Sequence, residues 1–227
     1  MKKYTLLFSA CLLQAGIMFS QSQAYDNFEG SKSLHYGARS GALDTAAANP
    51  YLDNVNKSGK CAKYVRNIEK KFDNIKMNFN GKMTDVTKYA TYTGIPPKLT
   101  MKVYTNAPVG TLVEIQLGKA GVNEYPAGTH SQYQAYTTVS NAWEQLEFKF
   151  SQVPKGSETA ASDVDRLTLL FNPNSITADT YYFSEITGPS ITASTTEKEK
   201  ITTNEKTAPA QPANTAVKNK PTPKKVN

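Results

Sequence analysis

The chain has 227 residues, 10% of them aromatic, and a formal net charge of +7. Two of its lysines lie in the first 24 residues, and seven lysines against three glutamates lie in the last 38, so Tyr25–Pro189 keeps 17 basic and 16 acidic residues. So nearly neutral a stretch has no electrostatic footprint for nucleic acid, which is excluded as a partner.

Met1 to Ala24 reads as an export signal. Lys2 and Lys3 precede an apolar run from Leu6 to Phe19, and Ser22-Gln23-Ala24 supplies the small-x-small cleavage pattern. The run is short for a membrane span and no second one follows. A lipoprotein, anchored at Cys11, is the alternative. With Cys11 in the leader, Cys61 has no intramolecular partner, so a disulfide framework and a cysteine zinc site are excluded. Cys61 reads as a small buried hydrophobe.

From Tyr25 onward the pattern is short runs of period-two alternation, the mark of half-buried strands. A short opening strand is expected at 25–29. A helical turn is expected near Leu43–Ala48, where alanines follow Asp44. Strands follow at 60–66, 74–79 and 98–104; in the last, Leu99, Met101 and Val103 oppose Thr100, Lys102 and Tyr104. Further runs lie at 111–117, 131–138, 143–150, 165–171 and 180–186, separated by turn residues such as Asn80-Gly81 and Asn172-Pro173-Asn174. About nine strands without intervening helices predict an all-β, antiparallel β-sandwich of jelly-roll type spanning 25–189. Residues 190–227, rich in Thr, Lys and Pro and free of aromatics, predict a disordered tail whose lysines suit contact with an anionic cell-envelope polymer.

Six segments carry a resemblance: YDNFEG at 25–30, NVNKSGKCAKYVRN at 54–67, EIQLGKAGVNEYPAGTHSQYQAYTT at 114–138, NAWEQLEFKF at 141–150, DVDRLTLLFNPN at 163–174 and YYFSEITGP at 181–189. In this order they resemble secreted Bacteroidota modules with the galactose-binding-like jelly-roll fold of many carbohydrate-binding modules. The resemblance implies a sugar-binding sandwich, often appended to polysaccharide-degrading enzymes and often holding a structural calcium. The family's usual aspartate after YYF is replaced here by Ser184, followed by Glu185. Asp26, Glu29 and Glu185 are the oxygen ligands left for that calcium.

The residues themselves suggest where a sugar would sit. A sugar site needs a flat apolar face and a few planar donors and acceptors. Tyr125, His130 and Gln132 offer these on the connection between two strands. On strand faces, Tyr64 and Arg66 share one side by period two, as do Glu114 and Gln116, and Gln132, Gln134 and Tyr136. Side by side these rows would floor a groove; the alternative is a solvated sheet face. Trp143 sits just before Leu146, Phe148 and Phe150 and reads as packed over the core with its N–H satisfied.

Catalysis finds no support. Only His35 and His130 exist, neither in a metalloprotease or nucleophile-elbow motif, and no pair of facing carboxyls is visible. The expectation is a noncatalytic, exported protein that binds a polysaccharide through Tyr64, Arg66, Gln116, Tyr125, His130 and Gln132. A structural or adhesive surface protein is the alternative, and a small glycoside hydrolase a weaker one.

Overall fold

The computed structural model describes residues 22–83, 99–121, 128–152, 155, 157–158 and 164–193. Fourteen strands lie among them. They are β1 (Gln23–Asp26), β2 (Leu34–Arg39), β3 (Ala42–Ala48), β4 (Lys60–Val65), β5 (Ile75–Phe79), β6 (Gly81–Met83) and β7 (Leu99–Thr105). There follow β8 (Leu112–Gly118), β9 (Gly128–Tyr136), β10 (Trp143–Gln152), β11 (Ser157–Glu158), β12 (Arg166–Phe171), β13 (Thr180–Gly188) and β14 (Ile191–Ala193). No helix occurs among the described residues, and nothing there is long and apolar enough to cross a membrane as one.

The expected antiparallel sandwich holds. One sheet runs β3-β4-β13-β7-β10, with β1 on β13, and the other runs β2-β5-β12-β8-β9-β10. Strand β10 belongs to both. Its first half pairs with β7 from Trp143 to Phe148, and its second half pairs with β9 from Lys149 to Gln152. The change of partner falls between Phe148 and Lys149, and a register shift follows it between Phe150 and Gln152.

Period-two alternation produces the core. Leu99, Met101 and Val103 of one sheet, and Ile115, Leu117, Leu167 and Leu169 of the other, are fully buried between the layers. Phe171 stacks on Tyr181 across the sandwich at 4.3 Å between ring centroids, and Tyr25 meets Phe79 edge-on at 4.8 Å. Burying each such ring contributes about 1.5–3 kcal/mol.

The expected helical turn at Leu43–Ala48 is instead strand β3, paired with β4. Alanine prefers a helix only weakly, and the unpaired edge of β4 offers backbone hydrogen bonds that outweigh that preference. A bulge at Asp44–Ala47, where the Asp44 carboxylate accepts from the Ala46 N–H, absorbs the local mismatch.

Candidate ligand-binding groove

The solvent-facing side of the second sheet carries a cleft of about 540 Å³. Strand register builds its floor. Lys76 pairs with Thr168, Thr168 with Gln116, Gln116 with Gln132, and Gln132 with Gln152, giving one row across five strands. A second row, Leu170, Glu114, Gln134 and Lys149, lies on one side of it. A third, Asn78, Arg166, Gly118 and His130, lies on the other. The side chains of β8 and β9 that point the opposite way, Ile115, Leu117 and Tyr133, are buried in the core. The same alternation that fills the core therefore lines the floor with amides.

Hydrogen bonds fix those amides. Glu114, only 5% exposed, accepts from Gln116 Nε2 at 2.8 Å on Oε1 and from Gln134 Nε2 at 2.7 Å on Oε2. Gln152 Nε2 donates to Gln132 Oε1 at 2.8 Å. At the far end Arg166 Nε donates to Asn78 Oδ1 at 3.1 Å.

An aromatic residue completes the lining. Phe72 borders the cleft and is 61% exposed. Its loop precedes β5, and the loop of Pro173 and Asn174, which also border the cleft, follows β12. Since β5 and β12 are antiparallel, both loops stand at the same end, beyond Leu170 and Glu114. Asn172 and Asn174 adopt positive φ angles of 48° and 64°, which asparagine tolerates better than most side chains. A second depression, of about 590 Å³, shares Gln134 and includes the exposed Tyr136.

Gln116 and Gln132 are thus brought together as expected. Tyr64 and Arg66 are not, and the assignment of both to ligand contact is corrected. Tyr64 is 1% exposed, packed 6.1 Å from Phe171 in the core, with its hydroxyl donating to Asp73 Oδ1 at 2.5 Å. Burial first, then the Asp73 hydrogen bond and charge, push its phenol pKa up. Arg66, 3% exposed, turns away from the sheet into the two loops at the Phe72 end. Its Nη1 donates to Ser175 Oγ at 2.8 Å and Thr177 Oγ1 at 2.7 Å, and its Nη2 to Ser175 O at 3.0 Å and to the carbonyls of Lys70 and Lys71. Arg66 thus ties the loop that carries Phe72 to the loop of Ser175 and Thr177. Tyr125 lies outside the described residues; the backbone of His130 falls in the Arg166 row.

The carboxylates implied as a calcium set are spent separately. Asp26 Oδ1 accepts from the Phe28 N–H and Oδ2 from the Tyr36 hydroxyl. Glu29 accepts from Ser58 Oγ and the Gly59 N–H, and the Ser58 bond leads in lowering its pKa. Glu185, at a positive φ of 48°, pairs with Lys102 at 2.7 Å. Among the described residues no group of three or more His, Cys, Asp or Glu side chains is arranged to hold a metal ion.

Trp143 is buried, and its indole N–H donates to Asn49 Oδ1 at 2.9 Å. Its register partner is Tyr104, so it stands on the outer face of the first sheet rather than between the layers. Cys61 is fully buried, and burial, with the Asp44 charge second, pushes its thiol up to about 11.

No family model and no curated protein sequence matches the chain. Solved structures do. A family 11 carbohydrate-binding module from Clostridium thermocellum, in complex with a β-1,3-1,4-mixed-linked tetrasaccharide, is 12% identical, with 76% of this chain and 98% of that one covered at a TM-score of 0.44. A family 30 carbohydrate-binding module is 14% identical over 76% and 91% at a TM-score of 0.44. An exo-β-agarase is 8% identical over 75% of this chain and 25% of that one, also at 0.44.

Proposed function

We propose that the chain is an exported, noncatalytic glycan-binding protein whose site is the groove on the second sheet. The observation that carries this reading is the five-strand row Lys76, Thr168, Gln116, Gln132 and Gln152, flanked by the fixed Glu114–Gln134 pair, with Phe72 at one end. Planar amides match vicinal hydroxyls in donor and acceptor count, and an exposed ring offers a flat face to the apolar side of a pyranose. Binding needs no cofactor. Among the described lining residues Glu114 is the single carboxylate, and glycoside hydrolysis needs two across the scissile bond.

The test is affinity electrophoresis of the purified chain through gels containing a panel of soluble polysaccharides, beside a Phe72→Ala variant. Retardation by at least one polysaccharide, weakened by the substitution at unchanged melting temperature, is the expected result. Migration unaffected by every polysaccharide defeats the reading.

A further inference from the structure

We propose that the Arg166 end of the groove seats a carboxylate, so that the preferred ligand is a glycan bearing uronic acid residues rather than a neutral one. This rests on the groove being a glycan site and names the class of glycan.

Three charged side chains line the cleft among the described residues: Lys76, Glu114 and Arg166. They are not interspersed. Glu114 belongs to the Phe72 end, with both its oxygens occupied by the Gln116 and Gln134 amides. Arg166 belongs to the opposite end, and Lys76 is its diagonal neighbour, because Arg166 pairs with Asn78 and Thr168 pairs with Lys76. Leu170 is opposite Glu114, so Arg166 and Glu114 are separated by four strand residues, roughly 13 Å at the usual rise. At that distance Glu114 is far outside ion-pair reach of the guanidinium.

Arg166 is also held in an unusual way. Its hydrogen bond among the described residues runs from Nε to the neutral Asn78 amide, and no carboxylate there meets its Nη1 and Nη2 edge. An arginine fork fixed by one nitrogen, half-buried in a cleft and without an anionic partner among the described residues, is arranged for bidentate capture of a planar anion. A surface arginine serving only solubility needs neither the anchor nor the cleft. Hydroxyls of the same glycan would engage the amide rows, and Phe72 would take a ring at the other end.

The test uses the full chain and matched oligosaccharides that differ only at C6: β-1,4-glucose against β-1,4-glucuronate, and α-1,4-galacturonate and β-1,4-mannuronate against their carboxyl-reduced counterparts. A sulfated neutral oligosaccharide is added as a non-planar anion. In isothermal titration at low salt, one uronate should bind about tenfold or more tighter than its neutral partner, and the gap should shrink at high salt. Arg166→Gln should remove the preference by lowering uronate affinity far more than neutral affinity, and Arg166→Lys should restore it only partly. Neutral partners that bind as well as their uronates in every pair, a sulfated ligand that binds better, or a preference that survives Arg166→Gln overturns the inference while leaving glycan binding intact. Failure of every oligosaccharide to bind overturns both.

Discussion

Gln134 on β9 donates from Nε2 to Oε2 of Glu114, its register partner on β8, at 2.7 Å, and Gln116 holds the other oxygen from two residues along the same strand. One nearly buried carboxylate thus sets the orientation of two groove amides. The arrangement spends a charge to fix two uncharged groups, which is reasonable where those groups must meet a ligand in one conformation.

Replacing Glu114 with Ala should therefore act on both stability and binding. Two half-buried groove amides lose their acceptor, at a cost on the order of 1–3 kcal/mol. Calorimetry should show a melting temperature lower by several degrees, and glycan affinity should fall about tenfold as the amides lose their fixed orientation. Glu114→Gln, which keeps one acceptor oxygen, should lose less of each. Equal losses in the two variants would show that charge, rather than amide orientation, is what the ligand reads.

The Arg66 network makes a different forecast. Phe72→Ala removes an exposed ring and should change stability by no more than about 0.5 kcal/mol while weakening binding. Arg66→Met breaks the hydrogen bonds that join the loops at 67–74 and 172–179, and should lower stability by a few kcal/mol, on the order expected for a buried polar network. Measured well below the melting transition, its affinity loss should match that of Phe72→Ala. The double variant should bind no more weakly than either single one, because both act through the same ring. Additive losses would mean that Arg66 does not work through Phe72.

Stability should drain away on the alkaline side. The Cys61 thiol is pushed up to about 11 by burial, and the phenols of Tyr36, Tyr64 and Tyr181 are raised for the same leading reason. An unfolded chain releases these protons at ordinary thiol and phenol values, whereas the folded chain retains them. Their contribution is complete below the ordinary thiol value and is lost as pH climbs toward 11 and beyond. The melting temperature should fall steadily from about pH 9 upward, and Cys61→Ala should flatten the earliest part of that fall. A melting temperature that holds level through pH 11 would contradict this.

Much of the sandwich was legible from alternation alone. The runs around Leu99–Val103, Leu112–Leu117 and Leu167–Phe171 became strands within a residue or so of their expected bounds, because each places large side chains on one face and polar ones on the other. The strand at Leu43–Ala48 was not legible. Six residues with three alanines carry no period-two signal, and only the neighbouring edge of β4 makes them extended. The groove was half legible. Gln116 and Gln132 were singled out, with Glu114 and Gln134 noted on the same faces, but Phe72 sits among Lys70, Lys71, Asp73 and Asn74 with no periodicity to mark it. An apolar ring inside so polar a turn was the one available sign.

Tyr64 and Arg66 show most plainly where sequence stops. Parity placed Tyr64 and Arg66 on one side, and both side chains are buried; nothing in the pattern said that this side faces inward. Composition, charge and alternation by themselves determined a near-neutral all-β stretch over 25–189 and which side chains travel together. The tertiary structure alone decided which strands are neighbours, which face closes the core, and how loops distant in sequence meet at one end of the cleft. Those choices depend on contacts such as Arg66 to Ser175, across a hundred and nine positions, and no local pattern encodes a pairing at that range.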